Sequence, residues 1–269
     1  MAGLKHSEHN FLCEHCQKEY AITDGVVSFG HFTEDKANAS ADNLISRLKN
    51  FFKRYSAFYN FLYYAFGGFF VGLSARQAIW RLDQDKLILN LGSGIKRIRP
   101  EVINIDFLPF KNVDIVADIT HLPFADNSVD AIINEFVLEH VKNPEAIITE
   151  IKRVLKPGGL VYVSTPFVES FHSSPHDYQR WTKPGLIHLM KDFQLEKVGI
   201  RSGPTSALLS ILNEWLAVLL SFGWRPLEQI WLMFFTIITS PLKLLDYFMW
   251  RLPNADNISY AFYYLGKKS

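Results

Sequence analysis

The chain is poor in cysteine and in charge imbalance, with two cysteines in 269 residues and a formal net charge of +1. Two thiols cannot make the disulfide framework of a small secreted domain. A charge this close to zero removes the compositional case for a nucleic-acid partner, which needs an excess of basic side chains. No charged start followed by a long apolar stretch opens the sequence, so the expectation is a cytoplasmic protein without a secretory leader. An unbroken apolar run of about twenty residues, the length of a bilayer span, is also missing. Residues 57–73 come close but are interrupted by Asn60 and by Gly67-Gly68. At this length there is room for one sizeable α/β domain with additions, and more than one large core is not expected.

What is present centres on residues 88–106. An apolar run ends in Gly92-Ser93-Gly94, and a second, residues 102–105, ends on Asp106. The pattern reads strand, glycine turn, strand, acid. In an open parallel sheet, ligands sit beyond the carboxyl ends of the strands, and glycines there admit a ligand to the backbone where a Cβ would collide. A carboxylate at the neighbouring strand tip can accept hydrogen bonds from both hydroxyls of a ribose, so the stretch asks for a nucleoside-bearing cofactor. A dinucleotide fingerprint would add a third glycine where Arg97 stands, and would place its acid roughly twenty residues after the first glycine. Asp106 comes fourteen positions after Gly92, too few for a crossover helix. A nucleoside without phosphates needs neither feature.

The next stretches repeat the theme. Residues 113–118 form a third strand that ends on Asp118, followed by Ile119 and Leu122-Pro123-Phe124. A carboxylate there can accept from the exocyclic amine of adenine while the apolar side chains cover the ring. Residues 129–134 make a fourth strand, with the turn Asn134-Glu135-Phe136-Val137-Leu138-Glu139-His140 after it. Asn143-Pro144 caps a helix whose stripe of Ile147, Ile148, Ile151, Val154 and Leu155 packs on a sheet. Lys156-Pro157-Gly158-Gly159 stops it, and a fifth strand covers residues 160–164.

From residue 86 to about residue 200 the chain resembles the class I S-adenosylmethionine-dependent methyltransferases of small-molecule type, in the variant with a shortened first crossover. It departs from the commoner pattern at Asn90, where an acid is usual. The resemblance implies a doubly wound, mostly parallel seven-stranded α/β sheet of the Rossmann-like kind, with an antiparallel last strand. It implies S-adenosyl-L-methionine as cofactor, held by Asn90, Gly92, Ser93, Gly94, Asp106, Asp118, Ile119, Asn134 and Glu135. It also sets the acceptor beside the loop after the fifth strand, which holds His172, His176, Asp177, Tyr178, Arg180 and Trp181. Methyl transfer is an in-line displacement that the enzyme mostly aligns. A hydroxyl acceptor would gain from a general base, for which His140 and His176 are candidates with Asp177 as orienting partner. The plainer alternative is that these side chains only hold the loop.

Three regions lie outside that core. Near the start, Cys13-Glu14-His15-Cys16 follows His6 and His9, and residues 20–29 read as a hairpin turning at Asp24-Gly25. The segment resembles the second half of a small zinc-ribbon domain. A complete ribbon sets its ligand pairs on two hairpins a dozen or more residues apart, so a hairpin with free thiols is the simpler account and zinc on Cys13 and Cys16 the alternative. Residues 31–43 read as a linker and 43–82 as aromatic helices, either packed beside the cofactor cleft or lying at a bilayer surface. Finally, residues 202–257 intervene between a sixth strand and the last. Their apolar runs, 207–224 and 230–248, are interrupted by Asn213 and Glu214 and by Pro241, Lys243 and Asp246, so neither reads as a clean span. A helical hairpin over the acceptor pocket, a homodimer interface and a membrane-surface paddle presenting a lipid-linked acceptor all fit.

The expected organisation is therefore residues 1–30 as a ribbon-like hairpin, 31–82 as linker and lid helices, and 83–269 as a catalytic domain with its insert. The expected acceptor is small or lipid-linked, with no nucleic acid. Rival readings are a nicotinamide oxidoreductase, opposed by Arg97 and the short crossover, and a non-catalytic membrane-associated or scaffold protein on the same fold.

Overall fold

A computed structural model describes residues 4–6, 10–13, 19–23, 26–29, 69–172 and 176–269. Four short strands come first: β1 (Leu4–His6), β2 (Asn10–Cys13), β3 (Glu19–Thr23) and β4 (Val26–Ser28). The helix α1 (Ala75–Ala78) precedes β5 (Ile88–Leu91), β6 (Ile103–Asp106), β7 (Ile115–Val116) and β8 (Val129–Glu135). Then follow α2 (Pro144–Val154), β9 (Leu155–Pro166), α3 (Lys183–Leu189) and β10 (Phe193–Ser202). The insert carries α4 (Pro204–Ser221), α5 (Arg225–Thr239) and α6 (Asp246–Met249), and β11 (Ala261–Lys268) closes the order.

Seven strands in the order β7-β6-β5-β8-β9-β11-β10 form the expected sheet. The first five of these run parallel, and β11 is antiparallel to both its neighbours. The sheet does not stop at β7, however. Strand β4 pairs with it in parallel, so β1 to β4 extend the sheet to eleven strands. The N-terminal hairpin is thus an edge of the main sheet rather than a separate unit. Its register, Ile22↔Val27 and Thr23↔Val26, leaves the two-residue connection expected at Asp24-Gly25. Cys16 and His9 lie outside the described residues, as does the side chain of Cys13.

Alternation along the strands divides the core between two faces. Leu89, Leu91, Ile132, Val161 and Val163 point to one face, where the buried stripe of α2 (Ile147, Ile148, Ile151, Val154) and Leu186 of α3 cover them. Ile88, Ala131, Ile133 and Tyr162 point to the other, against Ala75, Ile79 and Val102. Helix α2 starts as its residues dictate, with the Asn143 side chain accepting from the Ala146 amide and Pro144 in the first turn. Lys156-Pro157-Gly158-Gly159 lies within β9, where the register against β8 jumps between Val129↔Leu155 and Ala131↔Leu160.

The helix expected to run to residue 82 is confined, among the described residues, to Ala75–Ala78. Residues before it are extended: Phe70 bridges Ser202, the Ser202 hydroxyl donates to the Phe69 carbonyl, and Tyr162 donates to that of Leu73. Gly72 explains the departure. A Cβ there would stand 1.8 Å from the Ile200 carbonyl oxygen, so the backbone lies flat against β10.

With no crossover helix after β5 or β6, the loop backbone must find partners elsewhere. Asparagines supply them. Buried Asn104 donates to the carbonyls of Lys96 and Asn112, Asn112 donates to that of Ile95, and Asn90 donates to Asn104 Oδ1 at 3.0 Å. Arg97 ties the same loops through the Val102 and Asn112 carbonyls and Asp114. Asn90 thus meets an oxygen acceptor, which an acid at that position would repel. Asn104→Ala removes a donor from the Lys96 carbonyl and the acceptor of the buried Asn90 amide, while the Asn112 carbonyl keeps Arg97. At about 1 kcal/mol or more per buried group, it is expected to cost about 2 kcal/mol. A denaturant midpoint unchanged from the parent would show that solvent satisfies these groups instead.

The insert is a helical hairpin, and the polar residues that interrupt its apolar runs hold it together. Asp246, fully buried, accepts from the amides of Thr205 and Ser206 and from the Ser206 hydroxyl, capping α4 from the far end of the insert. Asn213 on α4 donates to Thr239 on α5 at 2.9 Å. By length and composition alone, Pro204–Ser221 and Arg225–Met249 are each apolar enough to cross a membrane, and little of the second is buried. Among the described residues, every exposed large apolar side chain except Trp80, Phe171, Tyr178 and Leu195 lies between Leu208 and Ile258.

Candidate active site

Because β5 to β8 are adjacent and parallel, the Gly92-Ser93-Gly94 turn, Asp106, Asp118 and the Asn134-Glu135 turn come to one edge of the sheet. Chain order reverses there, since β6 and β7 lie on one side of β5 and β8 on the other, which opens the crevice where such sheets take ligands.

Gly92 and Gly94 have φ of +69° and +56°, conformations that L side chains rarely adopt. They are required for different reasons. A Cβ on Gly92 would lie 2.4 Å from Val137 Cγ2 in the turn after β8, whereas a Cβ on Gly94 would meet nothing within 4 Å. The Gly92 and Ser93 amides donate to the Ile105 carbonyl, folding the turn over the end of β6. Asp106 faces it: Oδ2 accepts from the Gly94 amide at 2.7 Å and Oδ1 from the Leu108 amide at 3.0 Å. The two amides thus fix the carboxylate against the turn.

Asp118 is exposed and accepts from the Thr120 amide and hydroxyl, which orients it at the tip of β7, while Ile119 packs on the core. Asn134 is fully buried, donates to the Leu91 carbonyl at 3.3 Å, and its Oδ1 has no hydrogen-bond partner among the described residues. Glu135 lies 3.5 Å from Arg201, whose guanidinium stacks 4.1 Å above the Phe70 ring. Phe136 follows at φ +55°, a strained conformation for a bulky residue, and its ring meets Phe70. Sequence reasoning missed Arg201 and Phe70, because neither carries a motif and only the antiparallel strand β10 brings them to Glu135.

The acceptor-side residues form a cluster, arranged differently from expectation. His140 donates from Nδ1 to the His176 carbonyl at 2.6 Å, a tautomer assigned from that bond, and burial pulls its pKa below the usual imidazole value. His176 contributes this carbonyl while its ring is exposed beside Tyr178. Asp177 pairs with Arg180 and accepts from the His172 amide, rather than orienting His140 or His176. Its burial alone would raise its pKa, but the bonds from Arg180 and His172 hold it below the usual carboxylate range. Glu139, not singled out from the sequence, is fully buried, and burial pushes its pKa up to about 8.

Residues 95–163 match a family model described as a methyltransferase domain. The demethylmenaquinone methyltransferase of Renibacterium salmoninarum is 45% identical over 69 residues, 26% of this chain and 25% of that protein. The one from Mycobacterium bovis is 30% identical over 142 residues, 50% of this chain and 55% of that protein. The matches thus span a quarter to about half of these relatives. A solved structure of Haemonchus contortus phosphoethanolamine N-methyltransferase 2, with phosphomonomethylethanolamine and S-adenosylhomocysteine, aligns at a TM-score of 0.46 and 18% identity, covering 82% of this chain and 59% of that one. The matched residues lie within the sheet whose strand order is the one expected from the resemblance to class I S-adenosylmethionine-dependent methyltransferases.

Proposed function

We propose that this protein transfers a methyl group from S-adenosylmethionine to a small or lipid-linked acceptor at a bilayer surface. The observation that carries the reading is the pairing of an open glycine turn with a carboxylate tied to it: Gly94 has free space where a side chain would be, and its amide fixes Asp106. On this reading Asp106 takes the ribose hydroxyls, Asp118 and Ile119 the adenine, and the Asn134-Glu135 turn the methionine end. The bound cofactor supplies an electrophilic methyl carbon on a sulfonium. The residues of the cluster at His140 hold the acceptor in line with that carbon and exclude water.

The catalytic unit comprises residues 83–269, and the insert at 202–257 carries the apolar surface. The name demethylmenaquinone methyltransferase, borne by the relatives, denotes an apolar acceptor and agrees with that surface. The expected setting is cytoplasmic, peripheral at the membrane. Calorimetry tests the cofactor: the full chain should bind S-adenosylmethionine and not NAD. Binding of NAD, or of neither, would overturn the assignment in favour of an oxidoreductase or a scaffold.

A further inference from the structure

We propose that Glu139, His140 and His172 bind one divalent transition-metal ion. Their ligand atoms all lie within 4.8 Å of one another, although His172 comes from the loop after β9 and the other two from the turn after β8. Glu139 is the observation that separates this cluster from an ordinary group of polar side chains. It is fully buried, neither carboxylate oxygen has a hydrogen-bond partner in another described residue, and Oε1 stands 3.9 Å from His140 Nε2. A buried carboxylate without such partners is costly, and a cation between the three side chains would offset that cost.

The imidazoles are held as metal-ligating histidines are. Metal-bound histidine typically donates its other ring N–H to a carbonyl or carboxylate. His140 gives its Nδ1 proton to the His176 carbonyl, which leaves the Nε2 lone pair on the side of Glu139. His172 has Glu169 and Asp177 at 3.3 and 3.6 Å from Nδ1, and Glu169 is itself hydrogen-bonded to Tyr260. Among the described residues the carboxylates Glu169 and Asp177 flank the site, with Arg180 engaged by Asp177. An ion bound there would draw Glu139 into its charged form.

Two nitrogens and one oxygen suit zinc, cobalt, iron or manganese better than magnesium or calcium, which prefer all-oxygen shells. Bonds of about 2.1 Å in a tetrahedral site set neighbouring ligand atoms about 3.4 Å apart. The cluster therefore closes around an ion by side-chain rotation, which half-exposed His172 can supply. Three protein ligands leave a position open. On the methyltransferase reading above, an ion held there would bind an acceptor hydroxyl and lower its pKa, the proton passing to solvent, so that an oxygen nucleophile is available at neutral pH.

The test is metal binding by the full chain after chelator treatment, in parallel with a Cys13→Ser/Cys16→Ser form that removes the N-terminal thiols. Cobalt is titrated alone and followed by visible absorption, and zinc alone by calorimetry. One equivalent should bind in the Cys-free form. Glu139→Gln keeps the shape while removing the charge, and His172→Ala alters a partly exposed side chain. Each should weaken binding at least about tenfold, as loss of a metal-site partner does, while the thermal midpoint and S-adenosylmethionine affinity of Glu139→Gln stay at the parent values. Failure of the Cys-free form to take up either metal would overturn the site, as would unchanged affinity in both variants. Either result would leave cofactor binding, read separately, intact.

Discussion

Asp106→Ala is expected to lower S-adenosylmethionine affinity by about 10²–10⁴-fold, because two hydrogen bonds to a carboxylate, each worth about 1.5–3 kcal/mol, disappear together. The same change removes acceptors from the Gly94 and Leu108 amides. Those amides lie at a half-exposed strand tip, where water replaces much of what is lost, so the stability cost should stay near about 1 kcal/mol, or a few degrees in Tm. The disparity between the two effects is what identifies a ligand contact. If Asp106 only staples the glycine turn, affinity and stability should fall together and modestly. An affinity within twofold of the parent, with the thermal shift present, would reduce Asp106 to that structural role. Asp106→Asn provides the intermediate: it keeps one acceptor oxygen but loses the charge, and its affinity should fall between those of the parent and the alanine variant.

How far this site was legible depends on how local each piece is. The glycine turn, the acid and the missing crossover helix fall within residues 88–106, so the case for a nucleoside over a dinucleotide could be argued from spacing alone. Backbone pairing of β5 with β6 brings the turn and the acid side by side. The pairing of β3 with β4 was legible for the same reason. What sequence could not give was contact between distant segments. Asn90 read as a departure from an acidic position, and its reason lies in Asn104 on the neighbouring strand. Asp246 read as a flaw in an apolar run, yet it caps α4. Gly72 read as part of a helix, yet Ile200 on β10 forces an extended backbone there. In each case the polar group or glycine was noticed, and its partner lay on another element. Asp177 was matched to His140 and His176, whereas Arg180 and the His172 amide of its own loop claim it.

The apolar hairpin carries the second large effect. Replacing Trp215, Phe222 and Trp224 together by serine is expected to abolish flotation of the protein with phosphatidylcholine vesicles. These side chains are 58, 89 and 61% exposed, so the folded protein gains little from them. Exposed substitutions of this kind usually change stability by no more than about 0.5 kcal/mol each. In a bilayer interface the balance differs: burying each aromatic is worth about 1.5–3 kcal/mol, so losing all three should cost at least about 10³-fold in partitioning. The charges on the two helices are Glu214, Arg225 and Glu228, with no basic stripe among them. Binding should therefore rest on burial rather than on attraction to anionic lipid, and should persist with neutral vesicles and at raised salt. S-adenosylmethionine affinity should remain at the parent value, because the glycine turn lies on another part of the sheet. A parent protein that stays at the bottom of the gradient would remove the membrane from the account. If it were also dimeric by light scattering, and the triple variant monomeric, the face would belong to a second copy of the chain, and the acceptor would have to reach the pocket without a lipid surface to present it.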